Sequence, residues 1–375
     1  MAFQFQSVAA LSPLLSQTYG TNLAEIGLLI GFYLAPGVLI AIPGGAMAAW
    51  IGDKRIVVLS MVLMLAGGAL AGLGGSWETL VAGRLLAGVG GVIINIVMTK
   101  MLVDWFMGRE IATAMAIFVN SWPVGIALAL LVLPVLGEIG GLELARAVTL
   151  GLIAVGLLFF ALFYRAPDGA APAQTGFRIG RFPGCALIYA GMIWALYNSA
   201  LAMIFSFGPA ILSLRGWDVT AASSLISAFM VVFSVFLPLG GILVDRTGRR
   251  DTVISVSFLS FLVLLPLVFV APDWAIWAIF LTVGAFFSLA AGPVMTLPSE
   301  VLAPEDRAFG MGVFYAIYYG VMMAAPTLAG DMADRTGNTG VAILLGAAML
   351  VVCLVALVLF RRASPPKPAR AATSS

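Results

Sequence analysis

The chain of 375 residues is 62% hydrophobic and only 10% charged, with a formal net charge of +2. Soluble domains carry about a quarter charged residues, so this balance excludes a soluble multidomain protein and makes the lipid bilayer the solvent. There is no histidine, and the two cysteines, Cys185 and Cys353, lie in apolar stretches, so no cofactor, metal site or disulfide framework is expected. Nucleophile elbows, phosphate loops and paired-cysteine spacings are also missing, which argues against an enzyme and offers nothing to a nucleic acid.

Twelve apolar stretches are long enough to cross about 30 Å of hydrocarbon: 1–19, 24–49, 56–75, 79–102, 110–136, 142–164, 184–209, 219–244, 252–270, 274–297, 308–332 and 339–360. The expected fold is all-α, two pseudo-symmetric six-helix bundles. Residues 1–164 form the first bundle, 165–183 a linker marked by Pro167, Pro172 and Pro183, 184–360 the second bundle, and 361–375 a basic, proline-containing tail.

In chain order, the first span carries Gln4 and Gln6. The second ends in Gly-Gly-Ala-Met-Ala-Ala-Trp-Ile-Gly-Asp-Lys from Gly44. The fourth places Arg84, Gly88, Gly91 and Asn95 at steps of four, three and four, within about 40° on one helical face; Thr99 is close by. An ionisable group at mid-membrane depth is a functional candidate by default, and Arg84 is the single charge well within a span. That face either lines a central cavity or packs against a neighbour, with Arg84 in a structural bond. The fifth span contains Asn120-Ser-Trp-Pro-Val-Gly, whose Pro123 is expected to kink the helix and free a carbonyl.

In the second half, the seventh span aligns Trp194, Tyr197 and Asn198, and the eleventh aligns Tyr315, Tyr318 and Tyr319. These groups are candidates to face a solute, and packing is the competing role. Between the eighth and ninth spans stands Gly-Gly-Ile-Leu-Val-Asp-Arg-Thr-Gly-Arg-Arg, residues 240–250. It is 196 residues from the run at Gly44, and Pro13/Pro209, Gly20/Gly216, Gly45/Gly241 and Gly52/Gly248 share that offset. The chain is therefore a tandem duplication of a membrane unit. The offset partner of Leu196 falls before Met1, so the first helix is expected to lack its leading portion.

Placing the linker inside puts fifteen of the nineteen lysines and arginines on the inner side, leaving Arg146, Arg215 and Arg335 outside and Arg84 within a span. The positive-inside rule then assigns the termini, the linker and both glycine-rich loops to the cytoplasm of a bacterial inner membrane.

The pattern Gly-x-x-x-Asp-Arg-x-Gly-Arg-Arg from Gly241 to Arg250 resembles the signature loop of the major facilitator superfamily. Gly83-Arg84 with Gly88, Gly90 and Gly91 resembles that superfamily's second motif. The resemblance covers the whole chain and implies a transporter with a central cavity and alternating access, working as a monomer on a small-molecule substrate. It also implies that Asp245, Arg246, Gly248, Arg249 and Arg250 form a gate, with Asp245 bridging to the eleventh span at Arg307. On physical grounds alone, Asp245 can instead face the N-terminus of a neighbouring helix. Ala49 occupies the acidic position of the first copy, so any lock is expected to lie mostly in the second half. The Asn-Ser-Trp-Pro stretch is somewhat similar to the cyanate and nitrate-type permease branch. With Arg84 the only charge in the membrane, a small organic or inorganic anion is the expected solute. Proton-coupled efflux and a non-transporting sensor are the alternatives, and helix-end acids such as Glu138, Glu143 or Asp331 are the places for any proton coupling.

Overall fold

The computed structural model describes residues 1–20, 23–73, 75–165, 184–217, 219–338 and 340–364. The expected linker beyond Arg165 and the tail beyond Ser364 lie outside the described residues. The first span is two helices, α1 (Ala2–Ala10) and α2 (Ser12–Tyr19), parted at Leu11, where φ is −107° and ψ 13°. Pro13 explains the break: it lacks an N–H and its ring would meet the carbonyl four residues back, so it is accommodated in the first turn of a new helix. The second span divides in the same way into α3 (Leu23–Leu34) and α4 (Pro36–Ile51).

The third and fourth spans are α5 (Asp53–Leu73) and α6 (Trp77–Phe106). Ser76 starts α6 through a reciprocal capping box with Thr79. The fifth and sixth spans run together as α7 (Ile111–Phe163), which leaves helical geometry only at Gly140 and Gly141. Helical dihedrals continue through Pro123, which stands inside α7 and, lacking an N–H, leaves the Val119 carbonyl without its main-chain donor. In the second bundle come α8 (Gly184–Leu214), α9 (Val219–Thr247) and α10 (Arg250–Leu264), the last extended by a 3-10 turn over Leu265–Phe269. The tenth span is segmented into α11 (Asp273–Ser288), α12 (Ala291–Met295) and α13 (Leu297–Val301). Finally, α14 (Arg307–Thr336) and α15 (Val341–Ala363) close the chain.

Nine helical stretches among the described residues are long and apolar enough to cross a membrane. Because α7 supplies two spans and the broken α1/α2 and α3/α4 pairs supply one each, the expected twelve are accounted for. Side chains such as Leu131, Phe159, Leu162, Val231 and Val263 are exposed on the outside of the bundles, an apolar surface suited to lipid and not to water.

The 196-residue repeat is a repeat of backbone geometry. Gly20 and Gly216 have φ of 66° and 87°, and Gly52 and Gly248 have 90° and 68°, the left-handed region that other residues enter only with strain. Gly44 packs on Ile93 and Gly240 on Leu289, and those two partners are themselves 196 apart.

The bundles meet chiefly at the end carrying the 240–250 loop, called here the basic end. There α14 lies against α4, while α9 and α12 lie against α7; α1, α2 and α3 make no comparable approach to the second bundle among the described residues. Without a hydrophobic effect between lipid-embedded helices, such close approach depends on small residues. Gly241 and Gly292 abut the α7 backbone near Ala112, Gly312 abuts Ala41, and Gly37 lies under the Tyr319 ring; a Cβ at any of them would collide.

This arrangement separates two kinds of glycine. Gly240→Ala should strike the Leu289 backbone within its own bundle and lower thermal stability by about 1–3 kcal/mol, as overpacking does. Gly241→Ala should strike α7 across the interface and wedge the basic end open. In a background lacking Cys185 and Cys353, a Thr99→Cys reporter should then react faster with a thiol reagent applied at that end. An unchanged labelling rate in Gly241→Ala would show that the close approach does not hold the end shut.

Candidate functional site

A cavity of about 200 Å³ lies between the two bundles. Asn95 of α6, Trp122 and Pro123 of α7, and Phe5 of α1 face it from the first bundle; Trp194, Tyr197 and Asn198 of α8 and Tyr315 and Tyr318 of α14 face it from the second. Two hydrogen bonds cross between the bundles beside it. Thr99 Oγ1 and the Tyr315 hydroxyl are 2.8 Å apart, and Ser234 Oγ donates to Asn120 Oδ1 at 2.7 Å. Asn120 therefore fastens the interface and is not among the lining residues. Tyr319 is also outside the lining, buried with its ring on Gly37.

The polar groups in the cavity are few and largely committed. Asn198 Nδ2 donates to the Trp194 carbonyl at 2.8 Å, and the Tyr197 hydroxyl to the Phe287 carbonyl at 3.0 Å. The Trp194 indole N–H is buried with no hydrogen-bond partner. No charged side chain is in the lining.

Arg84 is elsewhere. Its guanidinium is buried inside the first bundle, where Nε donates to Leu29 O at 3.1 Å, Nη1 to Gln4 O at 2.9 Å and Nη2 to Phe5 O at 2.9 Å. It also lies 4.7 Å over the Tyr33 ring, a favourable cation–π distance. Gln4 belongs to the same assembly: its amide donates to Met64 O at 2.9 Å and accepts from the Tyr33 hydroxyl at 3.2 Å. Gly88 and Gly91 pack on Tyr33 as well. The expected polar face of the fourth span thus divides, with Asn95 on the cavity, Thr99 bonded across to Tyr315, and Arg84, Gly88 and Gly91 clamping α1, α3 and α6 together. Arg84 and Gln4 therefore lie outside the cavity between the bundles; they border a smaller one of about 70 Å³ inside the first bundle, with their polar atoms occupied by main-chain carbonyls and neighbouring side chains.

The basic end holds two charge networks. In the first bundle Lys100 bridges Asp53 at 2.6 Å and Asp104 at 2.9 Å, and Asp104 reaches across to Arg307 of the second bundle at 2.6 Å. In the second bundle Glu300 takes Arg250 and Arg361, the latter at 2.5 Å, and Arg361 also binds Asp251. Asp104 and Glu300 are 196 residues apart, as are Arg165 and Arg361. The offset therefore links one acid of each network in the sequence itself. Asp245 accepts from the Ala112 N–H at 3.2 Å, the Thr113 N–H at 2.7 Å and the Thr113 hydroxyl at 2.6 Å. A carboxylate there sits at the N-terminus of α7, where orphan N–H groups and the helix dipole both favour negative charge.

The Major Facilitator Superfamily profile matches residues 1–205 and 183–375. The chain belongs to the Major Facilitator Superfamily. A protein of Cupriavidus pinatubonensis named "Probable 4-methylmuconolactone transporter" is 26% identical over 378 aligned residues, covering 95% of this chain and 84% of that protein. Among solved structures, the E. coli fucose:proton symporter FucP, in an outward conformation, superposes with a TM-score of 0.78 at 16% identity over 97% of each chain. The human organic anion transporter MFSD10 gives 0.70 at 13% identity over 96% of each.

As a superfamily member the chain is a multi-pass membrane transporter of small solutes. Its signature loop departs from one expectation. Asp245 does not bridge to Arg307; it caps α7, while Arg307 pairs with Asp104. The reason is geometric, since Gly241 brings α9 directly onto the first turn of α7, leaving Asp245 beside that helix end. Gly248 supplies the left-handed turn, Arg246 and Arg249 are exposed, and Arg250 is turned toward Glu300. The N-terminal bundle contributes Asp104, Lys100 and Asp53, so the closure is less one-sided than the loss of the acid at position 49 implied.

Proposed function

We propose that the chain carries a small organic solute across the membrane by alternating access, binding it in the central cavity between the bundles. The observation that carries this reading is the cavity itself, lined from both bundles and shut at the basic end by the Asp245 cap, the Asp104–Arg307 pair and the interfacial glycines Gly241, Gly292 and Gly312. Under the positive-inside rule the basic end is cytoplasmic, with both termini, and the state described is outward-facing. The pathway is complete within one chain, so a monomer suffices.

The preference for an inorganic anion loses its basis with Arg84, whose charge belongs to the interior of the first bundle. An inorganic anion would meet no cation among the lining residues, and desolvating it there would be costly. An organic solute fits the apolar, aromatic lining, and the relative named for 4-methylmuconolactone supports it; that lactone carries a carboxylate at neutral pH, so an organic anion stays among the solutes to be tested.

Purified protein in proteoliposomes should take up labelled 4-methylmuconolactone, or exchange it against internal unlabelled solute, in preference to fucose and nitrate. The assay is run with and without a pH gradient. Uptake and exchange no faster than in protein-free vesicles for every solute in a broad organic panel would sink the carrier reading in favour of a sensor.

A further inference from the structure

We infer that the cavity selects a small planar, unsaturated ring bearing a carbonyl-type hydrogen-bond acceptor, an inference that rests on the cavity being the solute site. Both walls are aromatic. On the first bundle Phe5 and Trp122 have ring centroids 5.5 Å apart at 62°; on the second Trp194 and Tyr318 are 6.1 Å apart at 33°, with Tyr197 stacked on Trp194 at 5.9 Å. Rings prefer offset-stacked or edge-to-face neighbours. A flat ring between these walls finds such partners on both sides, whereas a puckered saturated ring presents no π-face to either.

The polar chemistry narrows the choice further. Trp194 is 5% exposed and its indole N–H, a donor with no acceptor capacity, has no partner in the protein. Such an orphan donor is uncommon, and because Trp194 is one of the cavity residues, a solute acceptor reached after a small rotation of the indole is the partner we assign to it. Tyr197 is committed to Phe287, Tyr315 to Thr99, and one N–H of Asn198 to the Trp194 carbonyl, which leaves the Tyr318 hydroxyl and the remaining amide capacity of Asn198 to complete the site. That supply suits one or two acceptors on a ring. It would strand most hydroxyls of a sugar, and with no charged residue in the lining a carboxylate borne by the ring would add no ion pair to the selection.

The two walls belong to different bundles, so a ring between them touches both moving parts. Selection and the coupling of binding to closure would then reside in the same contacts. A ligand lacking the ring would be held by one wall at most.

Phthalide and hexahydrophthalide test this as a matched pair, since both are neutral lactones and differ in ring planarity and unsaturation. Isothermal titration of the purified full chain should show phthalide binding at least about fivefold more tightly than the saturated analogue. Trp194→Phe keeps a ring but removes the N–H, so it should weaken phthalide about tenfold while retaining the preference. Trp122→Leu should reduce the preference itself. Equal affinity for the two lactones, no phthalide binding, or phthalide binding untouched by both substitutions would overturn the inference. Uptake of some other organic solute in the vesicle assay would leave the carrier reading standing in each of those cases, so the two failures are separable.

Discussion

Arg84→Gln is expected to lower the stability of the detergent-solubilised protein by about 3–5 kcal/mol while leaving solute affinity within about twofold. Hydrogen bonds to charged groups contribute about 1.5–3 kcal/mol each. The guanidinium makes three, to Leu29, Gln4 and Phe5 carbonyls. Because carbonyls inside a helix keep their main-chain partner, the loss falls toward the low end of that sum. Glutamine cannot fan three donors toward two helices, and it forfeits the contact with the Tyr33 ring. Arg84→Lys should recover little, since an ammonium is a point charge without the planar fork. Thermal unfolding measures the first effect and titration below the melting temperature the second. A variant that melts like the parent but no longer binds solute would return Arg84 to the site, and with it the preference for an anion.

The case of Arg84 shows where the chain could be read and where it could not. Span number, duplication and family were legible because the bilayer imposes length and polarity on every helix, and because left-handed turns at Gly20, Gly52, Gly216 and Gly248 need glycine. Periodicity put Arg84 and Asn95 on one face correctly. It could not say that Tyr33 would cover half of that face, since helical phase carries no information about which neighbour stands opposite. Trp194, Tyr197, Asn198, Tyr315 and Tyr318 lie in the cavity lining because aromatic and amide side chains aligned on the inner faces of α8 and α14 fall where the two bundles do not fully close on each other, although Tyr197 and Tyr315 also bond neighbouring helices. Phe5, Phe118 and Phe233 in the same lining carry no sequence signal that separates them from ordinary packing.

The closure of the basic end supplies the second large effect. Asp104→Ala should shift the conformational equilibrium toward the state open at that end by a factor on the order of 100, with Asp245→Ala acting in the same direction. Asp104 is largely shielded from solvent, with a side-chain exposure of 16%, and is shared by Lys100 within its bundle and Arg307 across the interface. Removing one member of a buried pair costs about 3–5 kcal/mol, because the partner is left uncompensated. Here the cost is partly relieved when the bundles separate and Arg307 reaches water, so the substitution biases conformation more than it unfolds the chain. About 2.7 kcal/mol of differential stability is a hundredfold change in a two-state ratio. Asp245→Ala removes three hydrogen bonds to the first turn of α7, an interaction that exists only while the bundles are closed. The Glu300 network offers an internal control. The ion pairs of Glu300 with Arg250 and Arg361, and that of Arg361 with Asp251, lie within the second bundle, so Glu300→Ala should lower the melting temperature with a smaller shift between states. Spin labels on α4 and α14 at the basic end would report both. An undisturbed interbundle distance in Asp104→Ala and Asp245→Ala, or a shift in Glu300→Ala as large as theirs, would mean that the closed end is held by helix packing through Gly241, Gly292 and Gly312 and not by charge.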